Sequence, residues 1–131
     1  MTLTQLISKL APASTIHAKA KLSLELIASQ LAHKKPLIII SNDSEKFSAR
    51  LKNLNFFCKH TVMTLPADDR NIMHATSSDP LVAMEKCAAH FKISTGEIPP
   101  ILLVQAQALL EKFPSPKEQQ KHAIWLITND T

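Results

Sequence analysis

A chain of 131 residues, 45% apolar and 20% charged, has the length and composition of one folded domain, which excludes a disordered tail and any need for a disulfide or metal to hold it together. Its net charge of +4 permits an acidic partner, but the basic residues are scattered, with Lys19 and Lys21 and then Lys34 and Lys35 the densest pairs, which is a solvated surface rather than a nucleic-acid footprint. A single glycine, Gly96, and no tyrosine argue against a glycine-built phosphate cradle and against a base-stacking platform.

Thr2 to Leu10 carries a possible capping box, Thr2 with Gln5, ahead of Ile7 and Leu10 on one helical face. After Ala11, Pro12 and Ala13, Ser14 or Thr15 caps a longer helix running to about His33. Its core stripe is Ile16, Ala20, Leu24, Ile27, Ala28 and Leu31, with Lys19, Lys21, Glu25, Ser29 and Gln30 on the other side. The stretch KPLIIISND, Lys35 to Asp43, then reads as the first strand. Four consecutive large apolar residues between turn formers are the pattern of a strand buried on both faces, as in a parallel sheet covered by helices. Asn42 with Glu45 forms a second capping box for a helix to about Leu54, with Phe47, Leu51 and Leu54 inward.

Cys58 to Leu65 is the second predicted strand, stopped by Pro66, and Ala67 to Ser78 is a polar loop long enough to face a partner. Asp79 and Pro80 start a helix whose buried face is Leu81, Met84, Cys87, Ala88 and Phe91. Gly96, Pro99 and Pro100 punctuate the chain before the third strand, residues 101–105. A short helix with Leu109, Leu110 and Phe113 follows, then a Ser115, Pro116, Glu118 capping box and a last strand over residues 123–128. The alternation predicts an α/β fold, a small parallel sheet of about four strands covered by helices on both faces. The chain reads as one domain over residues 1–131, either whole or the N-terminal piece of a longer protein, with residues 117–131 able to begin a following subdomain.

The segment most like a phosphate-binding loop, residues 14–23, holds Lys19 and Lys21 but no glycine, so a plain capped helix is the better reading. Cys58, His60, Cys87 and His90 show C-x-H and C-x-x-H spacings that would suit zinc, against a simpler reading with Cys87 buried and the histidines exposed. Asp68, Asp69 and Arg70 follow a strand end. Adjacent aspartates there can hold magnesium through water, yet such residues are also ordinary loop formers. Two cysteines, with no secretory signal and no apolar run of membrane-spanning length, point to a reducing cytoplasm and no membrane.

The run AKAKLSLELIASQLAHKKPLIIISNDSEKFSARLKNLNFF, residues 18–57, resembles the start of the bacterial transcription-repair coupling factor, with its helix, buried strand, polar turn and helix in the same order. The strand into Leu65 and Pro66 followed by Asp68 and Asp69 is similar to that family's "LPYD" segment, although LPADD lacks the aromatic. LVAMEKCAAHF and ILLVQAQALLEKFPSP resemble the elements that close its first subdomain, and IWLITND the strand that opens the next. The resemblance implies a degenerate helicase-like domain related to UvrB that has lost its nucleotide-binding residues. It further implies a non-catalytic scaffold for protein contacts in DNA repair, with no cofactor and no metal. The expected partners are excision-repair proteins or other domains of the same polypeptide, with at most weak or indirect DNA association and with Asp68, Asp69 and Arg70 as partner-binding residues. The alternative expectation is a small accessory subunit of a replication or other DNA-processing complex.

Overall fold

The computed structural model describes residue 5, residues 23–67 and residues 79–121. Three parallel strands form an open sheet: β1, Leu37–Ser41, β2, Val62–Leu65, and β3, Ile101–Gln105, in the order β1-β3-β2. Leu37 pairs with Ile101 on one side of β3, and Val62 pairs with the same Ile101 on the other. The protein is therefore a mixed α/β fold with β3 central. The expected first helix, Thr2 to Leu10, lies outside the described residues except Gln5, and so does the expected strand at 123–128. The sheet has three strands among the described residues.

Within residues 23–67 and 79–121 the helices are α1, Ser23–Ala32, α2, Ser44–Phe57, α3, Pro80–Ser94, and α4, Pro116–Lys121, with a 3₁₀ turn at Ala106–Leu110. On one face, Ala28 and Ala32 of α1 and Phe47 and Leu54 of α2 meet Val62, Ile101 and Leu103, with Leu37 and Ile39 against them. On the other, Ala89 of α3 and Ala108 meet Leu65, Ala67 and Val104. Leu54, Ile101 and Leu103 are fully buried and define the centre of the core.

Among the described residues, coverage of the second face is incomplete. Because α3 returns from β2 to the adjacent β3, it lies over those two strands and not over β1, where Ile38 is 70% exposed and Ile40 54%. The expectation that the apolar run is buried on both faces is thus corrected: Leu37 and Ile39 face the core, while Ile38 and Ile40 face out.

Local sequence accounts for most boundaries. The N-cap of α2 is Asp43, whose carboxylate accepts from the N–H groups of Glu45 at 2.9 Å and Lys46 at 3.4 Å, so the expected Asn42 and Glu45 box does not form. The same helix runs to Phe57, and the Cys58 N–H closes its last turn on Leu54 O, which removes residues 58–61 from the expected second strand. Asp79 caps α3 through the Leu81 N–H with Pro80 in the first turn, and the Ser115 and Glu118 box forms reciprocally, both as the sequence predicts. Beyond α3, Gly96 adopts φ +83°, and the Glu97 N–H reaches back to Lys92 O, so the chain's one glycine sits where left-handed backbone ends a helix.

Two helices present faces other than those expected. In α1, Glu25 and Ser29 are buried beside Ala28 while Leu24 is exposed, with the Ser29 hydroxyl satisfied by Leu26 O at 2.8 Å. In α3, Leu81 and Met84 are more than two-thirds exposed and Cys87 and Ala88 are exposed, whereas Ala89 is buried and Lys86 and His90 are half-buried. Small Ala89 lets the helix approach β2. Lys86 pairs with Glu111, and His90 stacks on Phe113 at 3.8 Å between centroids, so the chain after β3 clasps the inner side of α3. The 3₁₀ turn likewise buries Ala108 and leaves Leu109 and Leu110 in solvent.

Candidate protein-interaction site

The carboxyl ends of the strands are where open parallel sheets bind ligands, so the loops there come first. After β1, Ser41 is buried and its hydroxyl donates to Asp43 O at 3.3 Å, which holds the turn into α2. The Asp43 carboxylate already occupies the first amides of that helix. Hydrogen bonds from the Lys46 and Glu45 N–H groups, together with the Lys46 ammonium 3.4 Å away, hold its carboxyl below the usual carboxylate range. A phosphate approaching these amides would meet a negative charge rather than free donors. Asn42 is exposed and takes no part in the cap.

At the ends of β2 and β3, the buried Gln105 side chain reaches across the sheet, and its Oε1 accepts the Ala67 N–H at 3.0 Å. That bond fixes the point from which the next segment departs. Asp68, Asp69 and Arg70, expected as partner-binding residues, lie outside the described residues, as does the rest of the loop to Ser78. Residues 14–22, compared above with a phosphate-binding loop, also lie outside.

Among the described residues, no three His, Cys, Asp or Glu side chains come together to hold a metal ion. His60 instead meets His33, ring nitrogen to ring nitrogen at 3.2 Å, and the two rings stand edge to face. Cys58 is half-buried, and burial pushes its thiol above the usual value. Cys87 was expected inside and is exposed. His90 was expected outside and is half-buried, its Nε2 buried without a hydrogen-bond partner among the described residues. Burial, then the neighbouring Lys86 charge, lowers the His90 pKa against the opposing pull of Glu111.

What the fold displays outward is apolar. Leu81, Met84 and Ala88 follow one another at spacings of three and four along the solvent side of α3, forming a continuous stripe with no covering element among the described residues. Below the open part of the sheet, a groove of about 230 Å³ runs between β1 and the end of α3, lined by Ile38, Ile93, Ile98 and Leu102. A larger, more polar recess of about 480 Å³ lies between β2 and α3, where Thr64 donates to Glu85 at 3.1 Å and Lys92 pairs with Glu97 at 3.6 Å. Sequence reasoning assigned the α3 stripe to the core. The signal against that was Val82, Ala83, Ala89 and Ile93 on the opposite side: a helix apolar all round does not reveal which side the body takes.

No helix among the described residues is long and apolar enough to cross a membrane. Comparison with protein-family models, with curated proteins and with solved structures gave no match.

Proposed function

We propose that this chain is a non-catalytic protein-interaction scaffold of the bacterial transcription-repair coupling type, a degenerate helicase-like domain whose sheet gains a fourth strand from residues 123–128. The observation that carries this reading is the outward stripe of α3. Leu81 and Met84 are 67% and 68% exposed on a well-capped helix held from behind by the Lys86–Glu111 and His90–Phe113 contacts. Burying two such side chains against a partner protein is worth about 1.5–3 kcal/mol each, enough to make the stripe the centre of a contact. The carboxylate of Asp43 at the amides of α2 supports a role without nucleotide chemistry.

The partner expected from the resemblance is an excision-repair protein, and the cytoplasm is the expected compartment. The test is capture from bacterial lysate on the immobilised chain, with the Leu81→Asp/Met84→Asp variant alongside. Excision-repair proteins held by the wild type and lost from the variant are the expected result. Replication proteins in their place would overturn the repair assignment in favour of an accessory replication subunit. Identical capture by both chains would remove α3 from the interface.

A further inference from the structure

The outer edge of β1, which no strand pairs among the described residues, has a property that the α3 surface lacks: it is complementary to itself. We propose that two copies of this chain pair β1 against β1, antiparallel across a twofold axis, so that the three described strands of one copy continue into those of the other and the exposed Ile38 and Ile40 side chains of both copies adjoin.

The backbone fixes which residues can bond outward. The Leu37 N–H donates to Pro100 O, so residues 37, 39 and 41 turn their amides toward β3. Ile38 and Ile40 therefore turn theirs to the free edge, where no strand pairs with them among the described residues. An antiparallel partner must match these even-numbered positions with its own. The register that keeps the whole strand paired sets Ile38 opposite Ile40 of the second copy and Ile39 at the axis. Each Ile38–Ile40 pair then exchanges both of its N–H···O bonds. The four isoleucines, 70% and 54% exposed in each single chain, come side by side on one face as cross-strand neighbours.

Charge favours the same antiparallel orientation. The strand is entered through Lys34 and Lys35 and left through Asp43, so antiparallel pairing brings Lys35 toward Asp43 of the second copy. Twofold symmetry repeats the contact. Parallel edge pairing would instead oppose lysine to lysine. Asp43 keeps enough exposure, 38% of its side chain, to serve its helix cap and a lysine across the axis together. Pro36, which has no N–H, stands where the outward ladder ends.

The experiment is sedimentation of the full chain over a micromolar concentration series, with amide exchange read residue by residue. A concentration-dependent species of twice the chain mass is expected. Exchange at Ile38 and Ile40 should slow as the dimer forms, while Leu37, Ile39 and Ser41 stay protected throughout. Ile38→Lys/Ile40→Lys, at positions already in solvent, should weaken association at least tenfold with unchanged circular dichroism, and Lys35→Glu should weaken it with a reduced salt dependence. A chain that stays monomeric throughout overturns the proposal. So does protection of Ile38 and Ile40 at every concentration, which would mean that residues 1–22 or 122–131 of the same chain occupy the edge. Self-association unaltered by the double substitution overturns it too. None of these outcomes involves α3, so the binding surface proposed there is tested separately.

Discussion

The Gln105 side chain offers the sharpest quantitative test of how the strand ends are held. It is 7% exposed, and its Oε1 is the acceptor for the Ala67 N–H, itself in a residue 3% exposed. Gln105→Met keeps length and volume but removes the acceptor. A buried amide donor left without a partner costs about 1–3 kcal/mol, so a loss near 2 kcal/mol is expected, offset in part because the thioether needs no hydrogen bonds. With a urea m-value of about 1–3 kcal/mol/M for a chain of this size, the unfolding midpoint should fall by about 1 M. The matched control is Gln107→Met, two residues on and exposed, which should stay within about 0.5 kcal/mol of wild type. Amide exchange at Ala67 should rise about 30-fold if the loss is local to the β2 exit. Equal midpoints for the two variants, with no change at Ala67, would refute the view that this bond anchors the segment carrying Asp68, Asp69 and Arg70.

Further outcomes follow from the same structure. Leu54→Ala should cost about 2–5 kcal/mol in denaturant unfolding because Leu54 is fully enclosed, whereas Met84→Ala should cost under about 0.5 kcal/mol because its side chain already stands in solvent. Gly96→Ala should destabilise by about 1 kcal/mol, since φ +83° is strained for any side chain even though a Cβ there would meet nothing within 4 Å. The lowered pKa of His90 means that the folded state favours the neutral ring. Its contribution is complete above the ordinary value of 6.5 and is lost as pH falls from there toward the folded value, so wild type should lose more of its melting temperature than His90→Phe between pH 7.5 and 5.5. Titration with magnesium and ATP should give no saturable binding. Saturable hydrolysis abolished by Asp68→Ala and Asp69→Ala would overturn the non-catalytic assignment.

The three strands were legible because short apolar runs between Pro, Asn and Asp have few other solutions, and the caps at Asp79 and Ser115 because their chemistry is local. The parts not legible depend on what packs against what. Asn42 and Asp43 are both good caps, and only the backbone decides that Asp43 stands at the turn. Ile38 and Ile40 are as apolar as Leu37 and Ile39, so the strand's composition does not reveal that no described helix covers its second face; that follows from the β1-β3-β2 order, which carries α3 away from β1. The side of α3 that turns inward is set by Lys86 and His90 finding Glu111 and Phe113, contacts 25 and 23 residues away in sequence. The sequence signals for the expected site, Asp68 to Arg70, fall outside the described residues, and the candidate surface lies instead on the helix that follows.

One measurement decides whether the exposed stripe of α3 serves as the proposed protein-binding surface of the repair type. It is calorimetric titration of the excision-repair protein captured on the immobilised chain, once purified, into the full chain and into the Leu81→Asp/Met84→Asp variant, with thermal melts to confirm that both chains are folded. Saturable binding to the wild-type chain, weakened at least tenfold in the variant, is the expected result. No binding to wild type, or equal affinity for both chains, would contradict it.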